Sequence, residues 1–192
     1  TNGTDFIGTT DNQDLDFRIN NNVRARLKTN GQFELINNSE ETLLGEKAGG
    51  SSTNISRNVF VGYGAGQFDD GGLNVAVGHS ALGASITGYA NVALGFEAMK
   101  SATGGSNNTG IGQLSLAVNT GDDNSAFGRY ALNSNTSGNN NIGLGNGALS
   151  SINAGSGNIG IGYSVGDNLI VGDHNIIIGD NIDARSVAIF NE

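Results

Sequence analysis

The chain lacks cysteine, proline and tryptophan and contains few positive charges, and these absences exclude several classes of protein. Without cysteine there is no disulfide scaffold, although this leaves the compartment open. No apolar run approaches the ~20 residues that span a bilayer, so we expect no membrane insertion. The net charge of −9 argues against nucleic acid or an anionic membrane as a partner.

The composition favours short strands joined by tight turns. There are 32 glycines, and asparagine is almost as common. These two residues most readily adopt φ > 0 in turns. The chain lacks the charge density and low-complexity tracts of disorder. Because it begins with Thr1 and carries no signal peptide, we expect it to be a piece of a longer protein.

One five-residue phrase recurs along the chain, for example as Asn74-Val75-Ala76-Val77-Gly78. Each copy has a middle residue between two others and a closing glycine, and each except the degenerate first copy, Thr42-Leu43-Leu44-Gly45, has a leading asparagine. The leading asparagines are Asn58, Asn74, Asn91, Asn108, Asn124, Asn141, Asn158 and Asn175. The closing glycines are Gly45, Gly62, Gly78, Gly95, Gly112, Gly128, Gly145, Gly162 and Gly179. Successive closing glycines are 16 or 17 residues apart, which indicates a repeat architecture.

The repeat predicts an all-β fold, a parallel β-roll or β-solenoid of about nine coils over residues 41–182. Coils would stack at ~4.8 Å, with the asparagines forming a ladder and the glycines a bend at φ > 0. Val75 and Val77 share one strand face, and Ala76 lies on the other. The middle residue is small in most copies, so we expect another chain to approach that face closely. A second small residue follows each closing glycine by three positions, then often a large apolar residue, which predicts a second, shorter strand.

The two ends of the chain depart from the repeat. Residues 1–40 alternate apolar and charged residues between two turn signals, Asn20-Asn21-Asn22 and Thr29-Asn30-Gly31, which predicts a three-strand β-meander. Its apolar face needs a cover, either the first coil or another copy of the chain. We favour cross-strand charge pairs over an anion site for the basic residues of this meander. Residues 183–192, with Ser186–Phe190, predict an exit strand toward a further C-terminal region.

The phrase Asn-x-Ala-x-Gly, followed by a small residue and a Thr-Gly turn such as Thr87-Gly88, resembles the head repeats of trimeric autotransporter adhesins of the YadA-like type. That resemblance implies a parallel β-roll in which three chains pack side by side or intertwined. The family repeat is nearer fourteen residues. The longer form, as in residues 141–150, is similar to repeats of phage and phage-like tail fibres and bacterial surface fibre proteins.

The repeat pattern does not bring together side chains that could form a catalytic or metal-binding site. His79 and His174 occupy different places in the repeat, and a metal ligand needs partners. Asp69-Asp70 and Asp122-Asp123 are interpreted as solvated turn pairs, and Ser80 and Ser115 have no repeated base. Calcium fits the acidic pairs better than catalysis does, but the Gly-Gly-x-Gly-x-Asp signature is absent. We therefore expect no catalytic residue, no metal and no cofactor.

The position after each closing glycine varies most, which makes it either an inter-chain seam, the interpretation we favour, or a receptor-facing stripe. These residues are Tyr63, His79, Phe96, Gln113, Arg129, Asn146, Tyr163 and Asp180.

The function expected from the repeat and the resemblance is structural rather than enzymatic. The chain would be a segment of a homotrimeric fibre, in a tail fibre or a surface adhesin, that spaces and presents a receptor-binding tip. It would lie outside the cell, on a virion, a phage-like particle or a bacterial surface. The alternative is that the roll itself binds a cell-surface glycan or protein. An ice-binding solenoid would need a flat file of Thr or Asp, and a depolymerase would need paired acids in a groove. Neither pattern is present.

Overall fold

The structure, a computed structural model, describes residues 11–35, 40–50, 57–84 and 87–183. The chain separates into two compact units, Thr1–Glu40 and Glu41–Glu192. The segment Ser186–Phe190, for which the sequence predicts an exit strand, lies outside the described residues.

The first unit is a three-stranded antiparallel sheet in the order β1 (Leu15–Ile19), β2 (Asn22–Leu27) and β3 (Phe33–Leu35). Its polar face is joined by the predicted cross-strand ion pairs. Arg26 Nε lies 2.6 Å from Asp16 Oδ1, and Lys28 pairs with Glu34. On the opposite face, Phe17 is 48% and Phe33 59% exposed, so the described residues of this unit do not cover its apolar surface.

The second unit is a parallel β-solenoid with nine strands in consecutive order. The strands are β4 (Thr42–Leu44), β5 (Val59–Val61), β6 (Val75–Val77), β7 (Val92–Leu94), β8 (Thr109–Ile111), β9 (Ser125–Phe127), β10 (Ile142–Leu144), β11 (Ile159–Ile161) and β12 (Ile176–Ile178). Equivalent residues pair across every junction, as Val75 pairs with Val92. Nine strands bound eight complete turns, one fewer than the nine coils expected. At the usual strand spacing the stack is roughly 38 Å long.

The prediction of a second strand in each coil is wrong for the described residues. After the closing glycine the chain forms a series of turns, with positive φ at the second and fourth positions, as at Ser80 (52°) and Leu82 (53°). In this conformation the main-chain N–H groups of the second and fourth positions point in opposite directions along the stack. Ser80 N donates to Tyr63 O in the preceding coil, and Leu82 N donates to Ala98 O in the following coil. We call this segment the turn arm.

The expected orientation of the strand faces is also wrong. The small middle residues point into the solenoid and are fully buried, as at Ala76, Ala93 and Ala126, while Val75 and Val77 lie on the outside. The close approach comes from the turn arm of the same chain. A Cβ on Gly110 would lie 3.0 Å from Met99 Cγ, and one on Gly143 would lie 3.1 Å from Leu132 Cγ.

Side-chain volume is balanced across this thin interior. In most coils where the middle strand residue is small, as at Ala76, the fourth residue of the turn arm is large, here Leu82, and both are buried. Where the strand contributes Phe60, the turn arm has Gly66, and a Cβ there would lie 2.4 Å from the Phe60 ring. The interior is one layer of side chains thick, so each large residue requires a small one opposite.

The leading asparagines form the ladder through their main chains as well as their side chains. The Oδ1 of each accepts a hydrogen bond from the main-chain N–H of the next asparagine, as Asn124 Oδ1 does from Asn141 N at 2.9 Å. Its Nδ2 donates to a glycine carbonyl in the turn entering the next coil, as Asn124 does to Gly138 O at 2.8 Å. Direct bonds between amides occur in part of the file, such as Asn175 Nδ2 to Asn158 Oδ1 at 2.8 Å. Each amide thereby replaces water for main-chain groups that the stack buries.

All nine closing glycines have φ between 126° and 152°, a region that L side chains rarely adopt. The structure adds a second constraint, because each coil lies directly on the next. A Cβ on Gly95 would lie 2.8 Å from the main chain of Gly112, and one on Gly128 would lie 2.4 Å from Gly145 O.

A second file of glycines, three residues before the leading asparagines, supplies the carbonyls that accept the asparagine amides. They are Gly71, Gly88, Gly105, Gly121, Gly138, Gly155 and Gly172. Gly71 belongs to a turn rich in glycine and aspartate, a composition that suggests open space, but a Cβ there would lie 1.9 Å from Gly88 O.

Gly121→Ala should destabilise the solenoid, and Gly104→Ala should not. Neither glycine has positive φ, so the comparison isolates space from backbone strain. A Cβ at Gly121 would lie 2.1 Å from Gly138 O, whereas the nearest atom to a Cβ at Gly104 is 3.6 Å away. We expect a loss of about 2 kcal/mol or more for Gly121→Ala. Thermal unfolding followed by circular dichroism measures the difference, and equal midpoints for the two variants would contradict the close stacking of this file.

Candidate interaction surface

The two histidines lie apart and do not form a ligand set. The His79 ring is stacked between Tyr63 and Phe96, with centroids 5.2 and 5.3 Å away, and His174 is exposed before β12. Within the described ranges no three side chains of His, Cys, Asp or Glu come close enough to hold a metal ion. Ser115 Oγ is buried and donates to Gly112 O at 3.0 Å, as expected of a structural hydroxyl.

The acidic pair Asp122-Asp123 is exposed, and Asp122 takes part in a second ladder that the repeat pattern did not predict. Its Oδ1 accepts from Ser106 N at 2.6 Å, while Asp122 N donates to Asn139 Oδ1 at 2.7 Å. Ser156 and Asp173 continue the file, two residues before the leading asparagine in each coil. A short side chain with an oxygen acceptor recurs at this position, and this recurrence in the sequence could have predicted the second ladder.

Asp69 is fully buried, so its description as a solvated turn residue is wrong. Its carboxylate accepts hydrogen bonds from Asn74 Nδ2 at 3.1 Å and from Asn58 Nδ2 at 3.3 Å. Desolvation raises the pKa of Asp69 from 3.8 to about 6, with smaller contributions from the charges of Asp70 and Glu41. Hydrogen bonds from Asn74 and the Gly71 main chain lower that pKa, but by less.

The same interior file holds neutral amides in later coils. Asn119 precedes β9 and Asn135 precedes β10, and both are fully buried. Each bonds to the turn that follows it, as Asn119 Nδ2 does to Gly121 O at 2.8 Å. An amide therefore satisfies this position without a buried charge.

Asp69→Asn should stabilise the solenoid at pH 7.5 and have a much smaller effect at pH 4. The Asp69 pKa is raised in the folded state, so the protonated form stabilises the fold fully below 3.8 and that stabilisation is lost as pH rises through about 6. The difference between the folded and the unfolded pKa of Asp69 corresponds to roughly 2 to 3 kcal/mol of folding free energy, which is lost when the carboxyl group ionises. Thermal midpoints of both proteins across this range measure the effect. A constant difference at every pH would show that Asp69 titrates normally in the fold.

The first and third residues of β4–β12 form what we call the outer strand face. This surface is a nine-layer parallel sheet face on which none of the eighteen residues is charged. Leu44, Ile142, Leu144, Ile176 and Ile178 are each more than 40% exposed. A contiguous apolar face of this length is unusual on a soluble monomer.

Two files of residues, nearly all of them exposed, border the outer strand face. The downstream file is the residue after each closing glycine, already given above. The upstream file is the residue before each leading asparagine, namely Arg57, Leu73, Ala90, Asn107, Asp123, Asn140, Gly157 and His174. Six residue steps separate the files, and a fully extended chain of that length spans about 20 Å, so the bordered surface is at most about 20 Å wide and roughly 38 Å long.

Part of the downstream file is an aromatic stack. Tyr63, His79 and Phe96 lie face to face at interplanar angles of 20° and 19°, and Lys47 Nζ lies 5.0 Å from the centroid of the Tyr63 ring. Because the ring faces are covered by one another, the stack presents ring edges outward. A sugar ring normally stacks on an open aromatic face, so this arrangement suits packing against protein better.

Comparison of the chain with known protein families, curated proteins and solved structures finds no match. Within the described residues no helix has the length and hydrophobicity needed to cross a membrane. The fold itself defines the class: a β-solenoid repeat protein with an antiparallel three-stranded sheet before it in the chain.

Proposed function

We propose that this chain is a structural segment of a homotrimeric fibre, in which three solenoids pack through their outer strand faces. The observation that supports the proposal most is the uncharged, nine-layer outer strand face, which one chain leaves exposed. The number three rests on the resemblance to trimeric adhesin heads.

The size of the surface agrees with an interface between proteins. A surface of roughly 20 by 38 Å covers on the order of 800 Å², the area that one partner buries in a standard stable interface. The strands alone are about half as wide, so the two flanking files are needed to reach this size. An apolar centre with a mixed polar border also matches the usual anatomy of protein interfaces.

The three-stranded sheet of the first unit supports the same proposal independently. Its ion pairs leave the charged face satisfied, whereas Phe17, Leu27 and Phe33 on the other face are exposed. Three strands rarely persist in water with such a face uncovered. Association of identical chains would cover it.

The biological role that follows is spacing and presentation of a receptor-binding tip, outside the cell, on a virion, a phage-like particle or a bacterial surface. A repeated coil suits this role, because each added copy lengthens the fibre by one strand spacing and leaves its cross-section unchanged. The alternative, a roll that itself binds a glycan or surface protein, has less support because three of the aromatic rings at the border, those of Tyr63, His79 and Phe96, stack on one another.

Leu144→Glu should dissociate the assembly while leaving the fold of each chain intact. Leu144 is 46% exposed on the outer strand face, so a carboxylate there is solvated in a free chain and buried in the assembly. Ala154→Glu, at an exposed position in a return turn, is the matched control. Light scattering gives the mass, and circular dichroism checks the fold.

A folded monomer from the unmodified chain would overturn the proposal. By contrast, Ala93→Glu and Gly143→Glu place a charge in the interior, so we expect them to unfold the solenoid rather than split an assembly. Binding of the unmodified assembly to a glycan array would favour the alternative function.

A further inference from the structure

The two files that border the outer strand face contain different residues, so the two edges of the face are unlike. Within one layer they are six residues apart, for example Asp123 and Arg129 on either side of β9, and both are exposed. In the chain itself Arg129 bonds to Gln113 Oε1 at 3.1 Å and lies over the Tyr130 ring. The strand lies between the two files, which a fully extended chain would place about 20 Å apart, and Arg129 contacts Gln113 and Tyr130 rather than Asp123.

These residues nevertheless complement each other in five of the nine layers. Asp123 and Arg129 carry opposite charges. Two aromatic residues of the downstream file share a layer with the smallest residues of the upstream file: Phe96 with Ala90, and Tyr163 with Gly157.

Amides share a layer with amides in two further coils, Asn107 with Gln113 and Asn140 with Asn146. Three layers do not show this matching: Glu40 and Glu46 have the same charge, and Tyr63 and His79 share their layers with the large residues Arg57 and Leu73.

Contacts within one chain do not account for this matching. In the interior of the solenoid, small and large residues alternate where they touch, as Phe60 and Gly66 do. Since the flanking residues of one layer do not touch within a chain, their matching requires a contact between chains.

We propose that the upstream file of one copy packs against the downstream file of its neighbour, each residue meeting a residue of its own layer. This inference rests on the proposed function, because it requires several copies around one axis. Beyond the proposed function, it specifies which edges of neighbouring chains meet and in what register.

The pairing of unlike edges determines the symmetry of the assembly. A contact between two different edges is heterologous, and it closes into a ring when the rotation allows. The rods must then run parallel, with every layer at the same height and the outer strand faces toward the axis. An antiparallel pair related by a two-fold axis would instead bring the layer of Asp123 opposite a different layer, and the matching would be lost.

Cysteine cross-linking tests the register directly, because the chain has no cysteine of its own. In the full chain carrying Asp123→Cys and Arg129→Cys, mild oxidation should link each copy to both neighbours. Non-reducing electrophoresis should then show one covalent species of the mass given by light scattering before oxidation. Each single variant should give no such species.

The matched control is Asp123→Cys with Tyr163→Cys, which pairs the same upstream residue with a downstream residue two layers away. Two strand spacings add about 10 Å along the rod, beyond the ~7 Å between Cα atoms that a disulfide can bridge. The offset variant should therefore remain uncross-linked.

The outcomes separate this inference from the proposed function. A monomer by light scattering before oxidation removes the proposed function, and this inference with it. An oligomer in which the matched pair fails to link, or links no better than the offset pair, overturns the inference alone.

Discussion

The structure depends on the direct stacking of one coil on the next at the spacing of hydrogen-bonded strands. At this spacing every atom that points along the axis meets its own equivalent in the neighbouring coil. A Cβ at Gly162 would lie 1.5 Å from Gly179 O, so only hydrogen fits there. The same geometry makes an asparagine useful, because one amide can accept from the coil above and donate to the turn beside it. Charge, volume and hydrogen bonding must therefore be satisfied layer by layer.

The thin interior explains the distribution of apolar residues between inside and outside. The turn arm delivers a leucine or methionine into most layers, as at Leu116 and Leu132, and this leaves space for only a hydrogen or a methyl group on the strand. The β-branched and larger residues of the strand are consequently placed outside. A single chain cannot bury them, and the proposed assembly through the outer strand face follows from this shortage of interior volume.

The polar interior at the N-terminal end of the solenoid is a further consequence of stacking. Asp69 occupies the file that holds Asn119 and Asn135 in later coils and Ile152 after them, and it bonds to two ladder amides. Glu41, also buried, stands where later coils have the leading asparagine. The coil that contains Asp69 keeps the hydrogen-bonding pattern but buries a carboxyl group whose pKa is raised, so its stability depends on pH.

The sequence by itself determined the period, the parallel strands, the closing glycines, the asparagine file and the meander with its charge pairs. Each of these is a local or periodic property, which residue type and spacing are enough to reveal. Only the tertiary structure decided which strand face points inward. The alternation in Val75-Ala76-Val77 is equally compatible with the alanine inside or with the two valines inside. The tertiary structure also placed Leu82 and Met99 at positive φ, against their local preference, because the ladder bonds and burial of those side chains outweigh the strain. The burial of Asp69 and the crowding at Gly71 were hidden because both involve atoms of neighbouring coils, distant in the sequence, which meet only when the coils stack.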